Sequence, residues 1–155
     1  MATPCDIALA DEIVAAINGR FDGVTAERTW LPDWDQKIEL KGLRVCVQPG
    51  TTPSAELVER EKLWEIWPID VGFARRLQEH TREEIDGLIC LVDQVRELLQ
   101  LSQWKDGEGR IYESIGYEFL ARFDPTLLDR QVVDGNVTYA GSFLSLVRFD
   151  FRRFD

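Results

Sequence analysis

Hydrophobic and polar positions follow two rhythms along the chain. From Leu63 to Leu77 ("LWEIWPIDVGFARRL") side chains alternate as on a strand. Leu63, Glu65, Trp67, Ile69, Val71 and Phe73 share one side, and Trp64, Ile66, Pro68, Asp70, Gly72 and Ala74 the other. The first set reads as the core face. Proline has no N–H to give a ladder, so Pro68 predicts a sheet edge or a bulge there, with Trp64 and Ile66 left to face a groove or a partner. The same period of two predicts strands over Val24 to Trp30, over Leu43, Val45 and Val47 (stopped by Pro49-Gly50), and over Tyr117 to Phe123. It also predicts a long last strand over Phe143 to Phe154, with Phe143, Ser145, Val147, Phe149 and Phe151 on one face.

A period of 3.6 appears twice. Ile7, Ala10, Ile13, Val14 and Ile17 predict a helix with Thr3 as N-cap, Pro4 at the first helical position and Asn18-Gly19 as its exit. Ile85, Leu88, Ile89, Val92, Val95 and Leu99 predict a second, with Thr81 and Glu84 as a capping box and Asp86, Asp93 and Glu97 on its wet side. "WLPDWDQKIELKG" has neither period, "WKDGEGR" reads as a loop, "FDPTLLDR" as a single helical turn, and "QVVDGNVTYAG" as a hairpin tip at Asp134-Gly135 or a loop. The order is helix, three strands, helix, two strands. This is one α+β domain over residues 1–155, a two-layer fold with a mostly antiparallel or mixed sheet of about five strands packed against two main helices.

Composition sharpens this picture more by exclusion than by suggestion. At 155 residues the chain can bury a core without a metal or disulfide staple. Cys5, Cys46 and Cys90 are odd in number and set among apolar neighbours, so buried free thiols are expected. No apolar run suggests a membrane span, and the first residues lack a basic leader pattern, which predicts a cytosolic site of synthesis and assembly. With 28 acidic against 18 basic side chains the net charge is -10, which argues against sequence-independent nucleic-acid binding.

Candidate chemistry is sparse. His80 is the only histidine and falls in an expected surface loop. Zinc, serine-hydrolase, P-loop and dinucleotide signatures are missing from the sequence. Asp22, Asp33 and Asp35 could meet a hard cation, but the calcium-loop spacing is not there. No catalytic residue, metal or cofactor is expected. Five tryptophans stand out instead, because tryptophan is enriched where proteins meet. Core packing explains Trp67 best, whereas Trp30, Trp34 and Trp64, with Ile66 beside them and Val133 and Tyr139 in the 131–141 segment, form the candidate interface set.

"VTAERTWLPDWD", "LRVCVQPG", "PIDVGFARRL" running into "EEIDGLICLVDQVRELL", and a late aromatic strand ending "FRRF" together resemble the tail terminator (tail completion) proteins of long-tailed bacteriophages. The resemblance implies a hexameric ring at the head-proximal end of the tail tube in the virion. Such a ring ends tube polymerisation, touches the tail tube protein and a neck or head-completion protein, and lets DNA pass through its lumen without specific binding. It implies no enzyme. Another head-tail joining adaptor is the nearest alternative, and a small carboxylate-dependent enzyme the more distant one.

Overall fold

The computed structural model describes residues 3–29, 42–50, 54–59 and 62–154, with the backbone alone for 54–59, 62–64 and 154. The elements among them run α1 (Cys5–Arg20), β1 (Val24–Arg28), β2 (Leu43–Pro49), β3 (Ser54–Glu59), β4 (Lys62–Arg76), α2 (Arg82–Leu101), β5 (Gln103–Lys105), β6 (Ile111–Ala121), a 3-10 turn (Pro125–Leu127), β7 (Leu128–Val133) and β8 (Asn136–Phe154). The strands form one mixed sheet in the order β1-β2-β4-β8-β6-β5, with β3 also on β4 and β7 also on β8. Among the described residues only the β1–β2 pair is parallel. The expected α+β class and the two helices hold, while the strand number exceeds the expected five.

Both helices lie on one side of the sheet. Leu9, Ala10, Ile13 and Ile17 of α1 and Ile85, Leu88, Val92, Val95 and Leu99 of α2 meet Ile69, Val71 and Phe73 of β4 and Phe143, Val147, Phe149 and Phe151 of β8 in one core. Those are the alternating positions that the sequence places on the core face. Trp67 packs against this core, as expected, although its buried Nε1 has no hydrogen-bond partner.

Pro68 marks a local gap in pairing, as expected, within a strand that is otherwise interior to the sheet. β4 is central, with β8 on one side and β2 followed by β3 on the other. The β2 register ends at Pro49↔Ile69 and that of β3 starts at Ser54↔Ile66, so Pro68 stands opposite the break between them. Gly50 N–H donates to the Pro68 carbonyl at 2.7 Å. An antiparallel residue aims its N–H and C=O to the same side, so the donor that proline lacks would point into that break and the β8 ladder loses nothing.

Helix ends depart from the expectation in detail. Pro4, not Thr3, is the N-cap of α1, and it makes no side-chain cap. α1 runs past Asn18-Gly19 to Arg20, and the left-handed turn falls on Gly23 (φ 73°). Asn18 instead braces the first strand. Its amide accepts from Ala26 N–H at 2.7 Å and donates to Ala26 C=O at 3.0 Å, occupying groups on the outer edge of β1. Asn18→Ala leaves both unpaired and should cost about 1–2 kcal/mol, read as a lower denaturation midpoint with an unchanged slope. At α2 the Thr81 hydroxyl accepts from Glu84 N–H as the capping box predicts, but the Glu84 carboxylate reaches back to Gln78 and Glu79 N–H.

Cys5 and Cys46 are buried, and Cys90 is exposed, against expectation. Burial, then the nearby Glu27 carboxylate, pushes the Cys46 thiol up to about 11, so it stays protonated and inert. "WKDGEGR" is not a plain loop: Trp104 sits in β5, buried, donating from Nε1 to Leu99 C=O at 3.2 Å.

Candidate interaction surface

Two polar clusters and one apolar projection stand out once the fold is in place. The first cluster ties the start of α1 to the β5–β6 turn. Asp106 accepts from Arg110 Nε at 2.7 Å and the Tyr112 hydroxyl at 2.8 Å on one oxygen, and from Glu108 and Arg110 N–H at 2.9 and 3.0 Å on the other. Arg110 also donates to Thr3 C=O, and Glu108 accepts from Thr3 N–H. Burial pushes the Asp106 carboxyl up, but the hydrogen bonds from Arg110, Tyr112 and the two backbone groups outweigh it and hold it below the usual carboxylate range. Burial, then hydrogen bonding near Cys5 and Asp106, raises the Tyr112 phenol above its usual range. Both Asp106 oxygens are occupied from within the chain, which makes this a clamp with no position open to a substrate.

The second cluster lies on the sheet face turned away from the helices. Ion pairs run across strands there: Glu27 with Arg44 at 2.8 Å, Asp70 with Arg148 through both oxygens at 2.8 and 3.2 Å, and Glu113 with Arg152. Opposite charges side by side on neighbouring strands stabilise the pairing modestly. Asp70 raises the Arg148 guanidinium further above its ordinary value. No group of three or more His, Cys, Asp or Glu side chains suited to a metal occurs among the described residues. Asp33 and Asp35 lie outside them.

The apolar projection is the β7–β8 hairpin. Asp134 (φ 51°) and Gly135 (φ 80°) form its two-residue turn, both at the positive φ that a tight hairpin of this twist needs. The register Leu128↔Gly141, Arg130↔Tyr139 and Val132↔Val137 puts those residues on one face, and Asp129, Gln131 and Val133 on the other. Four contacts fix its root: Leu77 N–H to Gly141 C=O, Tyr139 N–H to His80 C=O, His80 Nδ1 to Tyr139 C=O, and Asp124 N–H to Leu144 C=O. Beyond the root the arm is bare: Val132 is 61% exposed, Val133 54% and Val137 41%. His80 is thus a hinge-side anchor on an exposed loop, held at φ 59°.

The expected interface residues divide. Val133 and Tyr139 both belong to the arm, Val133 exposed near its tip and Tyr139 half-buried at its root against the core. Ile66 does not face a partner: it is buried, directly opposite Arg152 on β8, whose own side chain is 13% exposed and whose stem can lie over it. Trp64 is within β4, paired with Glu56, and its side chain lies outside the described residues. Trp30 and Trp34 lie outside them altogether. Val132 and Val137 were missed, although apolar residues flanking Asp134-Gly135 in register were the signal for them. A groove of about 490 Å3 was missed too, at the C-terminal end of α2, lined by Arg20, Phe21, Gln94, Glu97, Leu98, Leu101 and Ser102. Leu101 stands 80% exposed on its rim.

No helix among the described residues is long and apolar enough to cross a membrane. No protein-family model matches the chain, and no curated protein is similar to it at a significant level.

Proposed function

We propose that the chain is a structural protein of a long-tailed bacteriophage virion, a tail terminator that forms a ring at the head-proximal end of the tail tube, ends tube growth and joins tail to neck. The observation that carries this reading is the β7–β8 arm, a hairpin whose Val132, Val133 and Val137 stand exposed among the described residues. Apolar side chains held out on a hairpin fit a molecule that works by contact with copies and neighbours. The segment order and late aromatic strand that resemble the terminator family support the same reading. A surplus of acid, at a net charge of -10, suits a lumen past which DNA must slide.

Tail-tube subunits of the same virus, polymerised with increasing amounts of the chain, test this. Tubes should shorten in proportion to the amount added, with the chain at one tip in electron micrographs. Unchanged tube length with binding to a portal-side ring would favour a head-tail joining adaptor. Unchanged length with a stable monomer that binds neither part would leave the enzyme reading.

A further inference from the structure

We infer that the β7–β8 arm of one subunit seats its apolar face in the groove at the C-terminal end of α2 on the next copy of the chain. This names the contact by which the proposed ring closes, and it takes its self-assembly from that reading. The two surfaces lie at opposite ends of one helix. The arm rises beside Thr81, Arg82 and Glu83 at the start of α2, where Arg130, Val137 and Tyr139 line a shared depression. The groove lies beside Leu98, Leu101 and Ser102 at its end. The 20 residues of α2 span about 30 Å. A six-residue strand reaches about 20 Å at most, so the arm cannot fill the groove of its own subunit.

The surfaces match in chemistry. Val132 and Val137 supply an apolar ridge, and Phe21, Leu98 and Leu101 an apolar floor and rim. The groove, at about 490 Å3, has room for several side chains. Both signs of charge border each surface with little to satisfy them. Arg130 and Asp134 on the arm, and Arg20 at the groove, make no ion pair among the described residues. The Glu97 side chain is 61% exposed, and its one ion pair among the described residues is with Arg96, at 3.7 Å. Arg130 against Glu97 and Asp134 against Arg20 are the pairings that opposite charge selects. The two patches differ, so the contact is head to tail, and it closes into a ring where its rotation divides a full turn.

Paired cysteines test this in the full chain carrying Cys90→Ser, which removes the exposed native thiol. Val132→Cys protein mixed with Leu101→Cys protein should give disulfide-linked pairs under mild oxidation. Val132→Cys mixed with Glu118→Cys, on the open sheet face, should give none. Arg130→Glu alone or Glu97→Arg alone should abolish the 132–101 cross-link, and subunits carrying both should regain it. Assembly seen by light scattering without a 132–101 cross-link overturns the contact and leaves the ring reading standing. Absence of the cross-link in a chain that stays monomeric, with and without tail-tube subunits, overturns both. A cross-link that forms while tube length is unaffected supports the contact and removes the terminator reading.

Discussion

Asp106→Ala is expected to lower stability by about 3 kcal/mol, near the lower figure for breaking a buried ion pair, because Arg110 keeps a little solvent contact. The loss is large because one carboxylate, 1% exposed, receives four hydrogen bonds. Its removal leaves Arg110 Nε and the buried Tyr112 hydroxyl without their acceptor, while Arg110 keeps Glu108 and Thr3 C=O, and the turn that holds Thr3 loses its centre. Urea unfolding at neutral pH should show the lower midpoint. The pH dependence gives a second signature. The folded Asp106 carboxyl titrates below the unfolded value of about 3.9, so its contribution is fully present above that value and disappears as pH falls through the folded one. The gap between wild type and Asp106→Asn should therefore be constant above about pH 5 and shrink below about pH 4. A gap that widens with acid would show that the clamp is held by something other than the ionised carboxylate.

How much of this was legible in the sequence depended on whether one face of an element was buried. The stripes Ile69, Val71, Phe73 and Ile85, Leu88, Val92 could be read because a slip of one residue would turn each of them to water. Pro68 marked a local gap in pairing, since its missing donor meets the break between β2 and β3, but that gap did not leave Ile66 exposed. Cys90 misled for a different reason: Ile89 and Leu91 are its neighbours in sequence, but one residue turns a helix by about 100°, which carries Cys90 off the stripe. β5 has three residues, too few to show a period, and Trp104 there resembles a loop tryptophan until Leu99 C=O is seen to accept its N–H. The candidate interaction surface was half legible. Val133 and Asp134-Gly135 pointed to a hairpin, but the groove joins the ends of α1 and α2, which only the packing of both helices on one sheet face brings together.

Gly141 is the joint on which the arm's direction depends, and Gly141→Ala is expected to lower stability and, on the proposed ring contact, to disable assembly as well. At φ 114° the backbone is in a region that a side chain disfavours. A Cβ there would also overlap the carbonyl oxygen of Leu127, a backbone atom that cannot rotate away. The chain on both sides is tied down, by Leu77 N–H to Gly141 C=O on one and the Leu128↔Gly141 register on the other. Relief therefore requires β7 to part from β8 at the root. The strain alone is worth about 1–3 kcal/mol. Hydrogen exchange should quicken across residues 128–133 and leave β4 and the far half of β8 protected, because only the arm is released. Gly135→Asn is the matching control: its φ of 80° suits asparagine better than most residues, and a Cβ meets nothing within 4 Å. If both substitutions loosen the arm equally, backbone strain alone explains the effect. If only Gly141→Ala frees it and tubes then grow unchecked, the direction of the hairpin, set by the missing side chain, is what lets one subunit meet the next.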